Sequence, residues 1–276
     1  MPTRTVKTSH GLIHVVMGGL AASEPTLLLI HGNSSSSKIF QYIIKSRAIS
    51  DRYCIVACDL PGHGSSSNAI DPELAYTMSG YASCLLEVLT TLCVKDVVIL
   101  GWSLGGHIAL EMGTPDNQIA RIRGVLLVGT PPSSGPSVSK AFKHDSPHMH
   151  LTGQEHLSHE EAYQYCHEAI GNSFKEWQKL DILRTDGKAR RLMFQAFRAN
   201  SGVDQVRIVA EERNVLFGVV NGGEEPFVNL DYIDTLEWAN LWEGRCHRLP
   251  GLGHAPFWEA PEVFELALLR FIEACL

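Results

Sequence analysis

Five apolar runs follow one another along the chain with almost no polar residue inside them. They lie at Thr26–Ile30, Tyr53–Cys58, Asp96–Gly101, Gly124–Gly129 and Val215–Val220. A strand that is buried on both faces has such a continuous run, whereas a strand with one solvent face alternates apolar and polar residues. The pattern therefore predicts the strands of a mostly parallel sheet covered on both sides. A shorter strand is predicted at Cys246–Leu249.

Amphipathic segments with apolar positions three and four residues apart lie between these runs. They predict helices at Ile39–Ala48, Gly80–Leu92, Leu104–Gly113, Asp231–Trp238 and Pro261–Ala274. Strands and helices that alternate in this way are typical of a doubly wound α/β fold.

The alternation is interrupted once, between the fourth and fifth predicted strands. From residue 131 to about residue 213 the pattern indicates only helices, among them Ser158–Ile170, Phe174–Leu183 and Gly187–Ala199. We therefore expect a core of residues 1–130 and 214–276, with residues 131–213 inserted as a helical cap. A cap in this position would cover the carboxyl ends of the strands, where open α/β sheets bind ligands.

Composition narrows the function classes. The 276 residues are 45% hydrophobic and 19% charged, enough for a globular core, and the formal net charge of −7 gives no basic footprint for nucleic acid. No apolar run approaches the ~20 residues of a membrane span, and residues 1–7 lack the apolar stretch of a signal peptide. The seven cysteines are scattered without a CxxC pair, so we expect a reduced, cytoplasmic protein. We expect it to be a monomer or homodimer.

The strongest chemical signal is the run Gly-Trp-Ser-Leu-Gly at 101–105, between a predicted strand and a predicted helix. In this strand–turn–helix setting the pattern G-x-S-x-G predicts a nucleophile elbow with Ser103 at its tip. A β-carbon at Gly101 or Gly105 would clash across so tight a turn. The following helix would direct amide N–H groups towards an oxyanion at Ser103.

A second loop supplies candidate oxyanion donors. His31, Gly32 and Asn33 directly follow the first predicted strand. An oxyanion hole needs an N–H group from a loop beside the nucleophile. We expect the N–H groups of Asn33 and Leu104 to form it, with the Asn33 side chain as a further polar contact to substrate.

Of the 13 histidines, His254 best fits the general base. It lies in a glycine-rich loop, 251–256, after the last predicted strand, where folds of this kind carry the catalytic histidine. The competitor His247 falls inside a predicted strand. His31, His63 and His107 are expected to make structural hydrogen bonds.

The triad acid is expected in the loop after Val215–Val220, which contains no aspartate. Counting from Gly222 places the acid at Glu225, which can orient an imidazole as an aspartate does. Glu224 and Asp231 remain alternatives, and the loop after Gly124–Gly129 carries no carboxylate.

Metal-dependent hydrolysis is not favoured, although the predicted cap is rich in histidine. His148-Met149-His150 resembles the start of an H-x-H-x-D-H motif, but Thr152 and Gly153 occupy the Asp-His positions, and no HExxH occurs. We expect neither a metal nor a cofactor. A serine at position 103 also excludes the members of this fold that use an aspartate nucleophile.

These motifs together resemble those of α/β-hydrolases, and they span the predicted core. A narrower resemblance, to AidH-type N-acyl-homoserine lactonases, rests on further runs, which lie at residues 31–36, 129–132, 152–155, 184–187 and 221–228. It implies a metal-independent Ser–His–Glu triad, with Asn33 and Leu104 at the oxyanion and Tyr165 in contact with the lactone. A packing role for Tyr165 is the alternative.

The resemblance predicts a hydrolase that opens acyl-homoserine lactones through an acyl-enzyme on Ser103. Trp102, Phe142 and Phe194 are candidate pocket walls, with core packing as the alternative for each. The alternatives are a carboxylesterase, a carbon–carbon-bond hydrolase with the same triad, or a hydrolase-like receptor that keeps the triad but mainly binds its ligand.

Overall fold

A computed structural model describes residues 2–20, 25–113 and 119–276. In these ranges eight strands form one sheet. They are β1 Thr3–Thr8, β2 Gly11–Gly19, β3 Thr26–Ile30, β4 Cys54–Cys58, β5 Asp96–Trp102, β6 Arg121–Val128, β7 Leu216–Gly222 and β8 His247–Leu249.

Helices fill most of the connections between the strands. Those before β7 are α1 Gln41–Lys45, α2 Arg47–Ser50, α3 Pro72–Ala75, α4 Met78–Thr91, α5 Leu104–Met112, α6 Val138–Ala141, α7 His159–Ile170, α8 Glu176–Arg184, α9 Gly187–Arg198 and α10 Gln205–Glu211. Those after β7 are α11 Leu230–Asp234, α12 Pro256–Glu259 and α13 Pro261–Ala274. Single 3-10 turns lie at Ser37–Phe40, Gly135–Ser137, Met149–Gly153, Gly171–Ser173 and Trp242–Gly244.

The sheet has the strand order β1-β2-β4-β3-β5-β6-β7-β8. From β4 to β8 every neighbouring pair is parallel, whereas the β1–β2 and β2–β4 pairs are antiparallel. The expected α/β, mostly parallel fold is confirmed. Because the carboxyl ends of parallel strands share one edge, the loops after β3, β5, β6, β7 and β8 converge there.

The core lies on both faces of the central strands. Every residue of β3 and β4 is buried, as the continuous apolar runs predicted. The antiparallel hairpin of β1 and β2 was not predicted. Its burial alternates, with Val6, Ile13 and Val15 inward and most neighbours partly exposed, so it lacks a continuous apolar run.

The predicted helix Ile39–Ala48 is wrong as one element. The segment forms a 3-10 turn and two short helices, and Ser46 separates the two helices with an extended backbone conformation, φ −64° and ψ 123°. Helix α11 is likewise shorter than the predicted Asp231–Trp238. Other boundaries differ from the predictions by a few residues at most.

Between β6 and β7 the chain is fully described and contains helices α6 to α10 with no strand. We keep the name cap segment for residues 131–213. Helix α10 was not predicted, and it returns the chain to the core, where it packs against α5.

Candidate active site

Ser103 lies at the turn between β5 and α5 in a backbone conformation that non-glycine residues rarely adopt, φ 53° and ψ −118°. Two close approaches hold the turn. A β-carbon at Gly101 would lie 2.5 Å from the carbonyl oxygen of Gly105, and one at Gly105 would clash with the carbonyl oxygen of Ile30. The Ser103 N–H donates to the carbonyl of Val128 at 2.8 Å. The two glycines therefore have the steric role that the sequence predicted.

His254 and Glu225 form a buried pair at the same edge of the sheet. Both carboxylate oxygens of Glu225 lie 2.8 Å from His254 Nδ1. Glu225 is 1% exposed and its Oε1 also accepts the N–H of Phe227 at 3.0 Å. The Phe227 ring stands edge-on to the imidazole, 4.9 Å between centroids. A carboxylate so placed keeps the proton on Nδ1 and leaves Nε2 as the basic nitrogen.

Neither alternative acid approaches His254. Glu224 is exposed, and its backbone N–H donates to the carbonyl of Leu252 at 2.8 Å. The Asp231 carboxylate is exposed and accepts from Arg248 at 2.7 Å. Glu225 is thus the candidate acid that contacts the imidazole.

The loop that carries His254 is fixed from both sides. The Glu259 carboxylate accepts the N–H groups of Gly253 at 2.8 Å and Ala255 at 3.1 Å. The Trp102 indole donates to the carbonyl of His254 at 2.8 Å. Sequence reasoning missed Glu259. The signal was an acidic residue in the short helix directly after the histidine loop, where a carboxylate can accept free backbone N–H groups.

Asn33 and Leu104 flank Ser103 from two different loops. Leu104 is the first residue of α5, so its N–H has no acceptor within the helix. The side chain of Asn33 is engaged elsewhere than expected: Nδ2 donates to the carbonyl of Thr152 in the cap segment at 2.8 Å, and Oδ1 accepts from Ser34 at 3.2 Å. The expected substrate contact of this side chain is therefore not favoured. Its backbone N–H remains the candidate donor.

A pocket of about 310 Å³ lies between the carboxyl edge of the sheet and the cap segment. Ser103, His254, Asn33, Leu104 and Trp102 line its core side. The opposite wall is mainly apolar and comes from the cap segment, with Val138, Phe142, Met149, Ala169, Met193, Phe194 and Phe197. The structure thus brings the predicted residues into one pocket.

Ser103 Oγ is open to this pocket and forms no hydrogen bond within the described residues. Contacts between a nucleophile and its base are often long before substrate binds.

Tyr165 also lines the pocket, on helix α7. Its hydroxyl donates to the carbonyl of Asn33 at 3.5 Å, a long contact. Burial raises the pKa of the Tyr165 phenol, so it stays a protonated donor. Trp102 is 3% exposed and packs edge-on against Phe257 at 5.4 Å, so it is both a wall residue and a support for the histidine loop.

The two histidines of the predicted metal-like run, His148 and His150, contact other protein groups. His148 Nδ1 lies 3.0 Å from the Glu168 carboxylate, and His150 Nδ1 lies 3.1 Å from the carbonyl of Pro147. Within residues 2–20, 25–113 and 119–276, no group of three or more histidine, cysteine, aspartate or glutamate side chains is placed to hold a metal ion. The helices described reach 14 residues, and none has the length and apolar character of a bilayer span.

The model of the family described as alpha/beta hydrolase matches residues 27–266. The chain belongs to the α/β-hydrolase family. It is a hydrolase, as its sequence motifs predicted.

Solved structures give a narrower likeness. The chain is similar to the N-acyl homoserine lactonase AidH complexed with N-butanoyl homoserine, with 42% identity, a TM-score of 0.94, and coverage of 100% of this chain and 97% of that one. It is equally similar to a serine-to-glycine variant of AidH complexed with N-hexanoyl homoserine lactone, with 42% identity, a TM-score of 0.93, and coverage of 100% and 98%. The resemblance to this group is confirmed.

Curated relatives match over a shorter stretch. A pimeloyl-[acyl-carrier protein] methyl ester esterase of Nitrosospira multiformis is 35% identical over 109 residues, which is 40% of each chain. An uncharacterized protein of Mycobacterium tuberculosis is 33% identical over 110 residues. The match spans 40% of this chain and 30% of that protein.

Proposed function

We propose that this hydrolase opens the lactone ring of N-acyl-homoserine lactones without a metal, through a Ser103–His254–Glu225 triad and an acyl-enzyme. The observation that carries the proposal is the buried pair of His254 and Glu225 beside the strained Ser103, at a pocket whose cap-segment wall is mainly apolar. The 42% identity to AidH over the whole chain supports the substrate class.

The chemistry would run in two steps. Ser103 Oγ attacks the lactone carbonyl carbon while His254 Nε2 takes the hydroxyl proton, and the N–H groups of Asn33 and Leu104 stabilise the oxyanion. The ring C–O bond breaks, and the alkoxide takes the proton from His254. Water, deprotonated by His254, then attacks the acyl carbon. The bond from that carbon to Ser103 Oγ breaks, His254 returns the proton to Oγ, and N-acyl homoserine leaves.

A lactone differs from an ester because the leaving alcohol stays attached to the acyl group. It can re-close the ring at a high effective molarity, so water must reach the acyl-enzyme quickly. The pocket fits this need, since its core side is polar around Ser103 and its cap side is apolar.

Of two AidH variants, the one that lacks a serine supports the role given to Ser103. The serine-to-glycine variant is described as complexed with the intact lactone, and a glutamate-to-glycine variant as complexed with the opened N-hexanoyl homoserine. Loss of a serine together with an unopened ring is the result expected if a serine opens it.

A pH-stat panel tests the proposal, because each ring opening releases one proton at neutral pH. We expect steady multiple turnover of N-acyl-homoserine lactones, with kcat/KM above that for simple aryl esters, and none in Ser103→Ala. Turnover of aryl esters alone would favour the carboxylesterase, to which the Nitrosospira esterase points. Binding of lactones without turnover would indicate a receptor.

A further inference from the structure

His107 is a buried pocket residue that the triad chemistry does not use. It lies in the first turn of α5, is 5% exposed, and lines the same pocket as Ser103. Its ring packs against Phe197 at 5.1 Å and Phe142 at 6.3 Å, both of which line the apolar wall. A polar imidazole thus lies among the aromatic side chains of the apolar wall.

One hydrogen bond fixes the tautomer of His107. Its Nδ1 lies 2.8 Å from Gln205 Oε1. The same Oε1 accepts the N–H of Ser133 at 3.3 Å, which identifies it as an oxygen. Because an oxygen can only accept here, Nδ1 carries the proton and Nε2 has a lone pair.

His107 Nε2 is an acceptor without a donor. Within the described residues it has no hydrogen-bond partner, and it is not sealed from the pocket. Burial lowers the pKa of His107 to about 4, so the ring stays neutral at pH 7. An acceptor left unmatched in an apolar wall favours a ligand that brings a donor to it.

The spacing along α5 indicates which ligand atom reaches this nitrogen. His107 follows Ser103 by four residues, so about one helical turn, ~5–6 Å, separates the two positions. In an N-acyl-homoserine lactone, the trans amide places acyl carbon 2 about 3.8 Å from the ring carbon. The reacting carbonyl carbon lies one bond beyond the ring carbon, and acyl carbon 3 lies one bond beyond acyl carbon 2, so these two outer atoms are about 6 Å apart. The amide nitrogen lies only two bonds from the reacting carbonyl carbon, too close to reach His107.

We propose that His107 is a specificity residue that accepts a hydrogen bond from a hydroxyl group on carbon 3 of the acyl chain. The preferred substrates are then 3-hydroxyacyl-homoserine lactones. A 3-oxo group, which has no proton to donate, faces the His107 lone pair and is disfavoured. This inference rests on the proposed function, since the spacing assumes attack on the lactone ring.

The test compares N-hexanoyl-, N-3-oxohexanoyl- and N-3-hydroxyhexanoyl-homoserine lactone. In the wild type we expect kcat/KM for the 3-hydroxy compound to exceed that for the others by about five- to tenfold. The ratio should fall towards 1 in His107→Leu. The ratio should decrease in Gln205→Leu, because the hydrogen bond that fixes the His107 tautomer is lost. It should stay unchanged in His144→Leu, at an exposed histidine that lines the same pocket. Equal rates in the wild type, or an unchanged ratio in His107→Leu, would overturn the inference.

A binding arm separates this inference from the proposed function. The ring-opened N-hexanoyl and N-3-hydroxyhexanoyl homoserines are assayed as competitive inhibitors of aryl ester hydrolysis. Tighter inhibition by the 3-hydroxy compound, lost in His107→Leu, supports His107 even if no lactone is turned over and the proposed function fails. Equal inhibition by both compounds counts against His107 whether or not lactones are substrates.

Discussion

Glu225 stands at the triad position where an aspartate is commoner. Its extra methylene moves the carboxylate about one C–C bond further from the backbone. The loop accommodates this length, because both oxygens still lie 2.8 Å from His254 Nδ1 and Oε1 also accepts the Phe227 N–H. Shortening or neutralising this side chain should therefore separate the effect of charge from that of reach.

Glu225→Gln should lower kcat by about 10³–10⁴, because an amide favours the wrong imidazole tautomer. Glu225→Asp should lower it by about 10–10², since it keeps the charge but loses reach. The measurement is kcat on lactone, with the unfolding midpoint as a check on the fold. The matched control is Glu224→Gln at the exposed neighbour, which should change kcat less than twofold. A severe loss in that control would reassign the acid.

At the scale of elements, the sequence predicted those strands and turns whose residue pattern lies within a single element. The strands β3 to β7 follow continuous apolar runs, and the elbow follows its glycines. The contacts that join the cap segment to the core were not predictable. The bonds from Asn33 to Thr152, and from His107 to Gln205, join residues far apart in the chain. The periodicity of apolar residues reports only local structure, so it does not predict contacts between residues that are distant in sequence.

Arg190 on α9 joins several of these elements from a buried position. It is 3% exposed and donates to the carbonyls of Gln154 at 2.7 Å, Glu155 at 3.0 Å and Ile182 at 3.0 Å. It also donates to the Ser34 hydroxyl at 3.3 Å, beside the candidate oxyanion loop. Its guanidinium therefore satisfies acceptors in three parts of the fold.

Arg190→Met should lower the free energy of unfolding by about 2–4 kcal/mol, because buried carbonyls lose their donors. It should also lower kcat/KM on lactone, since Ser34 contacts Asn33. Arg191→Met is the matched control. It removes an ion pair with Glu155 that solvent screens, so it should destabilise the protein less than Arg190→Met does. Urea unfolding of both variants checks this. Equal losses would mean that Arg190 has no special linking role.

At the scale of the whole molecule, buried neutral histidines couple stability to pH. Burial lowers the pKa of His31 and His63 below its usual value and that of His107 to about 4. The unfolded chain then binds protons near pH 6.5 that the folded chain does not, so stability is present above that pH and falls as pH decreases towards the folded pKa values.

His107 alone should remove about 2 kcal/mol of stability between pH 7.5 and pH 5.0. Urea unfolding at the two pH values should show a loss in His107→Leu that is smaller than the wild-type loss by this amount. His144→Leu, at an exposed site, should behave as the wild type. The same pH-dependent loss in all three proteins would show that His107 is not kept neutral by the fold.

The most direct test of the proposed chemistry is rapid-quench mass spectrometry with N-hexanoyl-homoserine lactone in the presence of EDTA. An acyl-enzyme formed from a lactone retains its leaving group, so the adduct adds the mass of the whole lactone. We predict this mass on the peptide that contains Ser103, with no adduct in Ser103→Ala and undiminished turnover in EDTA. The His254–Glu225 pair should be needed for hydrolysis of this adduct from Ser103. Turnover without an adduct on Ser103, or activity that EDTA abolishes and a metal ion restores, would contradict the account.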